Sequence, residues 1–92
     1  MKQSEQVKGW LAAIDDRTRA AALARIDRVQ RGLMGDAKSL AGGVSELRID
    51  HGPGIRIYLT RRGNVVYLLV AGRKSTQKTD IKIAKKLAAA LP

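Results

Sequence analysis

The side chains able to do chemistry in this sequence are mostly cationic. Eighteen Lys and Arg residues against eight Asp and Glu residues give a formal net charge of +10. His51 is the one histidine, and the ordinary pKa of this side chain lies near neutrality, where it can accept and donate a proton. A field of this sign indicates a polyanionic partner, which could be a nucleic acid, an anionic membrane surface or an acidic protein.

Several classes of site are excluded by composition. The chain has no cysteine, so a disulfide framework or a thiolate zinc site is impossible. Because there is also a single histidine, we expect no metal and no cofactor. No apolar run reaches the ~18–20 residues that cross a bilayer, and the polar start lacks the apolar segment of a signal peptide. We therefore expect one domain over residues 1–92, located in the cytoplasm and away from membranes.

The cations are concentrated in the second half of the chain. Residues 1–43 carry a net charge of +3, whereas residues 44–92 carry +7. The second half is therefore expected to build the electrostatic face.

Helical periodicity dominates the first half. Val7, Trp10, Leu11 and Ile14 have the spacing of one helix face, and a second helix is predicted from about residue 18 to residue 31. Residues 32–43 contain four glycines and predict a loop.

The second half changes to the period of strands. Apolar and polar residues alternate over 44–50 and 55–62, and the apolar run 65–71 predicts a central strand. Side-chain parity favours pairing Ile49 with Ile57 and Leu47 with Leu59, around a turn of Gly52-Pro53-Gly54. The Gly63-Asn64 turn pairs Thr60 with Tyr67 and Tyr58 with Leu69.

One face of this sheet is apolar and would receive the helices. The opposite face is expected to stay uncovered, and it carries Arg48, Arg56, Tyr58, Thr60, Tyr67 and Leu69. A last helix is predicted from Ser75 or Thr76 to about Leu91. The fold class is therefore α+β, with two N-terminal helices packed on a small antiparallel sheet of three to four strands and a C-terminal helix.

Several segments together resemble one protein family. Residues 43–49 followed by 52–58 resemble the "GVxELR…GPGYRVYF" core of HigB-like toxins, which belong to the RelE/ParE superfamily. Residues 68–81 resemble the "LLxGGxKSTQxxDI" segment of the same family. Upstream, residues 10–11, 25–26 and 32–38 resemble the family's "WL…RI…GNxGDxK" segments. The resemblance covers roughly residues 7–88.

The resemblance implies a RelE/ParE-like fold, including a short first strand near residues 1–4. It also implies the toxin of a type II toxin–antitoxin system, which cleaves mRNA on the ribosome and is blocked by a cognate antitoxin. A neighbouring branch of the superfamily inhibits DNA gyrase and is not a nuclease. Because the two branches share a fold, the fold does not choose between them. A plain nucleic-acid binder is a third alternative.

Cleavage in this family uses attack by the 2′-hydroxyl, without a metal, and leaves a 2′,3′-cyclic phosphate and a 5′-hydroxyl. Arg56 matches the arginine of the family's "GYR" motif, which contacts the scissile phosphate in relatives. Lys74 lies where relatives place a catalytic basic residue. The alternatives are that Arg56 only pairs with Asp50 and that Lys74 is a solvated loop residue.

Asp80 and His51 are the candidates for proton transfer. Asp80 aligns with a position where relatives carry a catalytic tyrosine or an acidic residue. The alternatives are that Asp80 only stabilises a helix N-terminus and that His51 is a solvated turn residue.

The remaining candidates would bind RNA rather than react. Ile55 stands where the family has a tyrosine, which leaves Tyr58 and Tyr67 as the aromatic residues for stacking, unless they are simply packed against neighbouring strands. Trp10 is expected in the core. The predicted RNA-binding residues are Arg48, Tyr58, Arg61, Arg62, Tyr67 and Arg73. The antitoxin segment that covers the basic face is expected to be acidic.

Overall fold

The computed structural model describes residues 1–52 and 54–92. Two consecutive helices follow a short first strand, α1 (Glu5–Ala13) and α2 (Asp16–Gln30). Ser4 and Asp15 cap them by accepting hydrogen bonds from the backbone N–H groups of Val7 and Thr18, which satisfies donors that a helix leaves free at its start. Both predicted helices are confirmed.

The sheet is larger than the three to four strands predicted. It has five strands in the order β1-β5-β4-β3-β2. The first strand, implied by the family resemblance, is present and runs parallel to β5, whereas the other pairs are antiparallel. The short β2 occupies part of the predicted loop. The strands are β1 (Lys2–Gln3), β2 (Ala37–Ser39), β3 (Ser45–Ile49), β4 (Ile55–Arg62) and β5 (Val65–Arg73).

The register of the first hairpin differs from the prediction by two residues. Leu47 lies opposite Ile57, and Ile49 lies opposite Ile55. The predicted faces are right because a shift of two residues preserves side-chain parity, while the position along the strand is decided by the connection. Of the predicted turn residues, Pro53 lies outside the described part of the chain.

The second hairpin contains a β-bulge. Thr60 pairs with Tyr67 as predicted, but Tyr58 pairs with Val70 instead of Leu69 because the register shifts between Tyr58 and Leu59. The extra residue in β5 changes side-chain parity beyond it. Val70, predicted on the same face as Leu68, therefore packs with Tyr58 on the other face.

The expectation that the second sheet face is uncovered is wrong. The last helix, α3 (Gln77–Ala89), lies on it and follows a single 3₁₀ turn at Lys74–Thr76. Ala84 and Ala88 are buried against the sheet, and these small side chains, one turn apart, let the helix approach closely. Tyr58 consequently has no exposed surface.

Two apolar clusters result, one on each face of the sheet. The first joins α1 and α2 to one face, and the second joins α3 to the other. Within residues 1–52 and 54–92, no helix is long and apolar enough to span a membrane.

Candidate functional site

Three cationic side chains line one cleft where β3 and β5 end and β4 begins. The cleft has a volume of about 400 Å³. We call it the arginine cleft, and its lining residues are Asp36, Arg48, Asp50, Gly52, Gly54, Arg56 and Lys74.

Arg48 and Arg56 are directly opposite each other on β3 and β4. Like charges at such a position destabilise a sheet. Arg56 Nη1 donates to the Ile55 carbonyl at 3.1 Å, while Arg56 Nε is buried without a hydrogen-bond partner among the described residues. Within residues 1–52 and 54–92, no carboxylate forms an ion pair with Arg56 or Lys74. Arg56 and Lys74 therefore carry positive charge that no ion pair among the described residues compensates, which suits an anion, whereas Arg48 pairs with Glu46.

Gly54 brings Lys74 close to this pair. The Lys74 N–H donates to the Gly54 carbonyl at 3.1 Å. Gly54 has φ +86°, and a Cβ there would lie 3.5 Å from Arg56 Nη1 and 3.7 Å from Lys74 Cβ. This backbone conformation favours glycine, so Gly54 lies beside both Arg56 on β4 and Lys74 in the 3₁₀ turn after β5.

Sequence reasoning missed Glu46, a buried carboxylate beside the arginine cleft. It is 1% exposed and accepts hydrogen bonds from Arg48 Nε at 3.1 Å and Gln77 Nε2 at 2.6 Å. Glu46 thus holds the Arg48 guanidinium and ties β3 to the first turn of α3. The available signal was its position two residues before Arg48, which places both on one strand face.

The environment of Glu46 changes its pKa and that of Tyr58. Burial raises the pKa of the Glu46 carboxyl, but hydrogen bonds from Gln77 and Arg48 outweigh burial, and the net pKa is lowered. Burial, assisted by the negative charge of Glu46, raises the pKa of the Tyr58 hydroxyl. At neutral pH, Glu46 is therefore ionised and Tyr58 is protonated.

This lowered pKa predicts an acid-sensitive contribution to folding. Glu46 stabilises the fold fully above the unfolded-state pKa, near 4.5, and loses this contribution as the pH falls through the lower folded-state pKa. Glu46→Gln should cost about 1.5–3 kcal/mol at pH 7, the range for hydrogen bonds to charged groups. In urea unfolding between pH 7 and pH 3, the gap from the wild type should shrink below pH 4.5. Glu5→Gln, at an exposed glutamate, is the control, and an unchanged gap at pH 3 would contradict the assignment.

Asp80 lies at the edge of this region rather than in the cleft lining. Its Oδ2 accepts a hydrogen bond from Thr76 Oγ1 at 2.6 Å. Gly72, which pairs with Arg56 across the sheet, has no side chain at a point where a Cβ would collide with Asp80 Oδ2. The carboxylate thus packs over the β5 backbone, next to the strand that carries Arg56.

Two other predicted residues, His51 and Arg73, do not line the cleft. His51 is half-buried in the connection between β3 and β4, where its carbonyl accepts from the Gly54 N–H at 3.2 Å. Arg73 is exposed and lines a separate pocket on the other face. The cleft lining therefore includes Arg48, Arg56 and Lys74, but neither His51, Asp80 nor Arg73.

Arg61 and Arg62 lie at the far end of β4, roughly 20 Å from Arg56 at ~3.3 Å per strand residue. Arg61 Nη2 donates to the Val29 carbonyl at 3.2 Å, and Arg62 Nη2 donates to the Ala88 carbonyl at 3.0 Å. These carbonyls belong to the last turns of α2 and α3, where cations are favourable.

The two tyrosines are also apart from the cleft lining. Tyr58 is enclosed between the sheet and α3, so its ring has no face free for a base. Tyr67 is half-buried against the cluster under α3 and lines an apolar groove beside β1.

Comparisons with known proteins place the chain in a family. Residues 9–89 match the family model described as "Phage derived protein Gp49-like (DUF891)". An uncharacterized protein of Haemophilus influenzae (strain ATCC 51907 / DSM 11121 / KW20 / Rd) is 51% identical over 81 residues, which cover 86% of this chain and 82% of that protein. No solved structure is significantly similar to the chain. The chain belongs to the Gp49-like family, which is associated with RelE-like toxins of toxin–antitoxin systems.

Proposed function

We propose that this protein is the toxin of a type II toxin–antitoxin system and that it cleaves mRNA on the ribosome. The observation that carries the proposal is the cross-strand pair of Arg48 and Arg56, which lines one cleft with Lys74. Opposed arginines cost stability, and Glu46 pairs only with Arg48, so an anion bound in the cleft would offset the charge of Arg56 and Lys74. A phosphodiester of RNA is such an anion.

The proposed reaction is an internal transfer of the phosphoryl group. The 2′-oxygen attacks phosphorus and forms a bond to it, while the bond from phosphorus to the 5′-oxygen breaks. The 2′-hydroxyl proton passes to a base, and the leaving 5′-oxygen receives a proton. Arg56 and Lys74 stabilise the negative charge that develops on the phosphoryl oxygens, the role for which preorganised cations are most effective.

Proton transfer is assigned to Asp80 or His51. Neither lines the arginine cleft, so the RNA must be held in a geometry that brings its 2′-hydroxyl and 5′-oxygen to them. The ribosome supplies this positioning in our proposal, since fixing the reacting groups in place can account for a large part of a rate enhancement.

The antitoxin is proposed to inhibit by placing an acidic segment over the arginine cleft. The net charge of +10 favours an acidic partner in general, and the uncompensated Arg56 and Lys74 provide the local anchor. An antitoxin that binds tightly yet leaves both side chains exposed would contradict this mode of inhibition.

The test of the proposed function is end-mapping of an mRNA in a reconstituted translation reaction. New 5′-hydroxyl ends at codon-spaced positions should occur with ribosomes and be absent without them. The double variant Arg56→Ala with Lys74→Ala should produce none. Its matched control is Lys8→Ala with Arg17→Ala, which removes the same charges from the N-terminal helices.

Intact mRNA at a high dose of the wild-type protein would overturn the nuclease assignment. If growth inhibition persisted in that case, the alternative is a toxin that inhibits DNA gyrase, and a supercoiling assay would measure it directly.

A further inference from the structure

A second pocket lies behind the arginine cleft, on the sheet face that carries α1 and α2. Its volume is about 350 Å³, within the range of ~300–1,000 Å³ found for small-molecule sites. We call it the Trp10 pocket, and its lining residues are Trp10, Ala13, Ile14, Asp15, Thr18, Ile55 and Arg73.

The interior of the Trp10 pocket suits a flat, uncharged ring. Trp10 and Ile14 are half-buried, and Ile55 is 2% exposed. An indole beside branched aliphatic side chains is the kind of surface on which nucleobases stack. Ile55 is the buried residue of the lining, and the one tryptophan of the chain provides the aromatic group.

The exposed residues of the pocket lining include one positive and one negative charge, from Arg73 and Asp15. Arg73 is exposed, and no hydrogen bond or ion pair engages its guanidinium within residues 1–52 and 54–92. Asp15 is exposed as well, and hydrogen bonds from the Thr18 side chain and backbone lower its pKa. Because the rim carries one cation and one carboxylate, it has no net charge to attract a free anion, and binding must come from a neutral ring inside the pocket, whose attached phosphate can lie at Arg73.

The Trp10 pocket and the arginine cleft are joined through the chain itself. Ile55 lines the pocket and Arg56 lines the cleft, just as Arg73 lines the pocket and Lys74 lines the cleft. Neighbouring Cα atoms are ~3.8 Å apart, and successive strand residues point to opposite faces. The two sites therefore lie on opposite faces of the same end of the sheet, where a strand of RNA passing around that end could contact both.

We propose that the Trp10 pocket binds a nucleobase of the single-stranded RNA whose phosphate lies at Arg56 and Lys74. This inference rests on the proposed function, because it takes the arginine cleft as the phosphate site.

The fluorescence of Trp10, the one tryptophan of the chain, measures binding in this pocket. We would titrate the wild-type protein with a 2′-O-methyl RNA trinucleotide, whose blocked 2′-oxygen prevents cleavage, and follow tryptophan fluorescence. Saturable quenching is expected with the trinucleotide and not with its abasic analogue or with inorganic phosphate. Equal quenching by the abasic analogue or by phosphate would overturn the proposal, as would no change in fluorescence with any probe.

Two matched alanine-to-leucine substitutions test where the nucleobase binds. Ala13→Leu fills the pocket and leaves Trp10 in place, whereas Ala12→Leu makes the same change at an exposed residue of α1 outside the lining. Ala13→Leu should weaken trinucleotide binding about 5- to 150-fold, the equivalent of losing one stacked base. Ala12→Leu should bind as the wild type does, and equal affinity of the two variants would place the quenching elsewhere.

The titration tests the base site independently of the proposed nuclease activity, because it needs neither ribosomes nor cleavage. Quenching that Ala13→Leu removes, in a protein that leaves mRNA intact, would support the base site and overturn the nuclease. Cleavage of mRNA at the wild-type rate by Ala13→Leu would overturn the base site and leave the nuclease standing.

Discussion

Replacing Arg56 by glutamine should lower mRNA cleavage on the ribosome by about 10²–10³-fold, the typical loss when one preorganised group that stabilises transition-state charge is removed. Folding stability should stay unchanged or rise by up to about 1 kcal/mol, because the substitution removes a like-charge pair with Arg48 across the strands. A residue kept for packing would show the reverse pattern.

Both readouts are needed to interpret this variant. Cleavage is measured by end-mapping in reconstituted translation, and stability by urea unfolding. Arg17→Gln is the matched control, because it makes the same change at an exposed residue of α2. Wild-type cleavage by Arg56→Gln, or a loss of stability above 2 kcal/mol by the unfolding assay, would each contradict the assigned role.

Replacing Tyr58 by alanine should destabilise the fold by about 3–5 kcal/mol, the cost of removing a large buried ring. Tyr58 is fully buried in the cluster that joins α3 to the sheet. For a domain with roughly 5–15 kcal/mol of total stability, this loss would unfold a large fraction of the protein. The variant should therefore lose growth inhibition through unfolding rather than through loss of an RNA contact.

Tyr58→Phe separates these two explanations. The Tyr58 hydroxyl faces Glu46 but has no hydrogen-bond partner of good geometry among the described residues, so its removal should change stability by less than about 1 kcal/mol. Activity should remain at the wild-type level. A stable Tyr58→Ala protein that no longer binds RNA would instead show that the ring is reachable and stacks on a base.

Much of the fold follows from local patterns. The helix spacing of Val7, Trp10 and Leu11 predicts α1, and Gly63-Asn64 between two apolar runs predicts the second hairpin, both as observed. These features depend on neighbours in the chain, so periodicity and turn chemistry are sufficient to reveal them.

The errors arose where the decisive partner is distant in sequence. The bulge at Leu69 reverses the face of Val70. The alternation of apolar and polar residues does not reveal this extra residue, because tertiary packing selects its position. The coverage of Tyr58 by α3 depends on Ala84 and Ala88, about 26 and 30 residues further along the chain. Their small size matters only because α3 packs against the sheet at these two residues.

The sequence by itself determined the +10 charge, the periodicity of the helices and strands, and the parity that places Arg48 and Arg56 on one sheet face. All of these are set by composition or by spacing along the chain. The tertiary structure decided that these arginines lie directly opposite each other, that Lys74 joins them across Gly54, and that Glu46 is buried against Gln77. Each of these contacts joins residues from different elements, and their positions depend on how the elements pack.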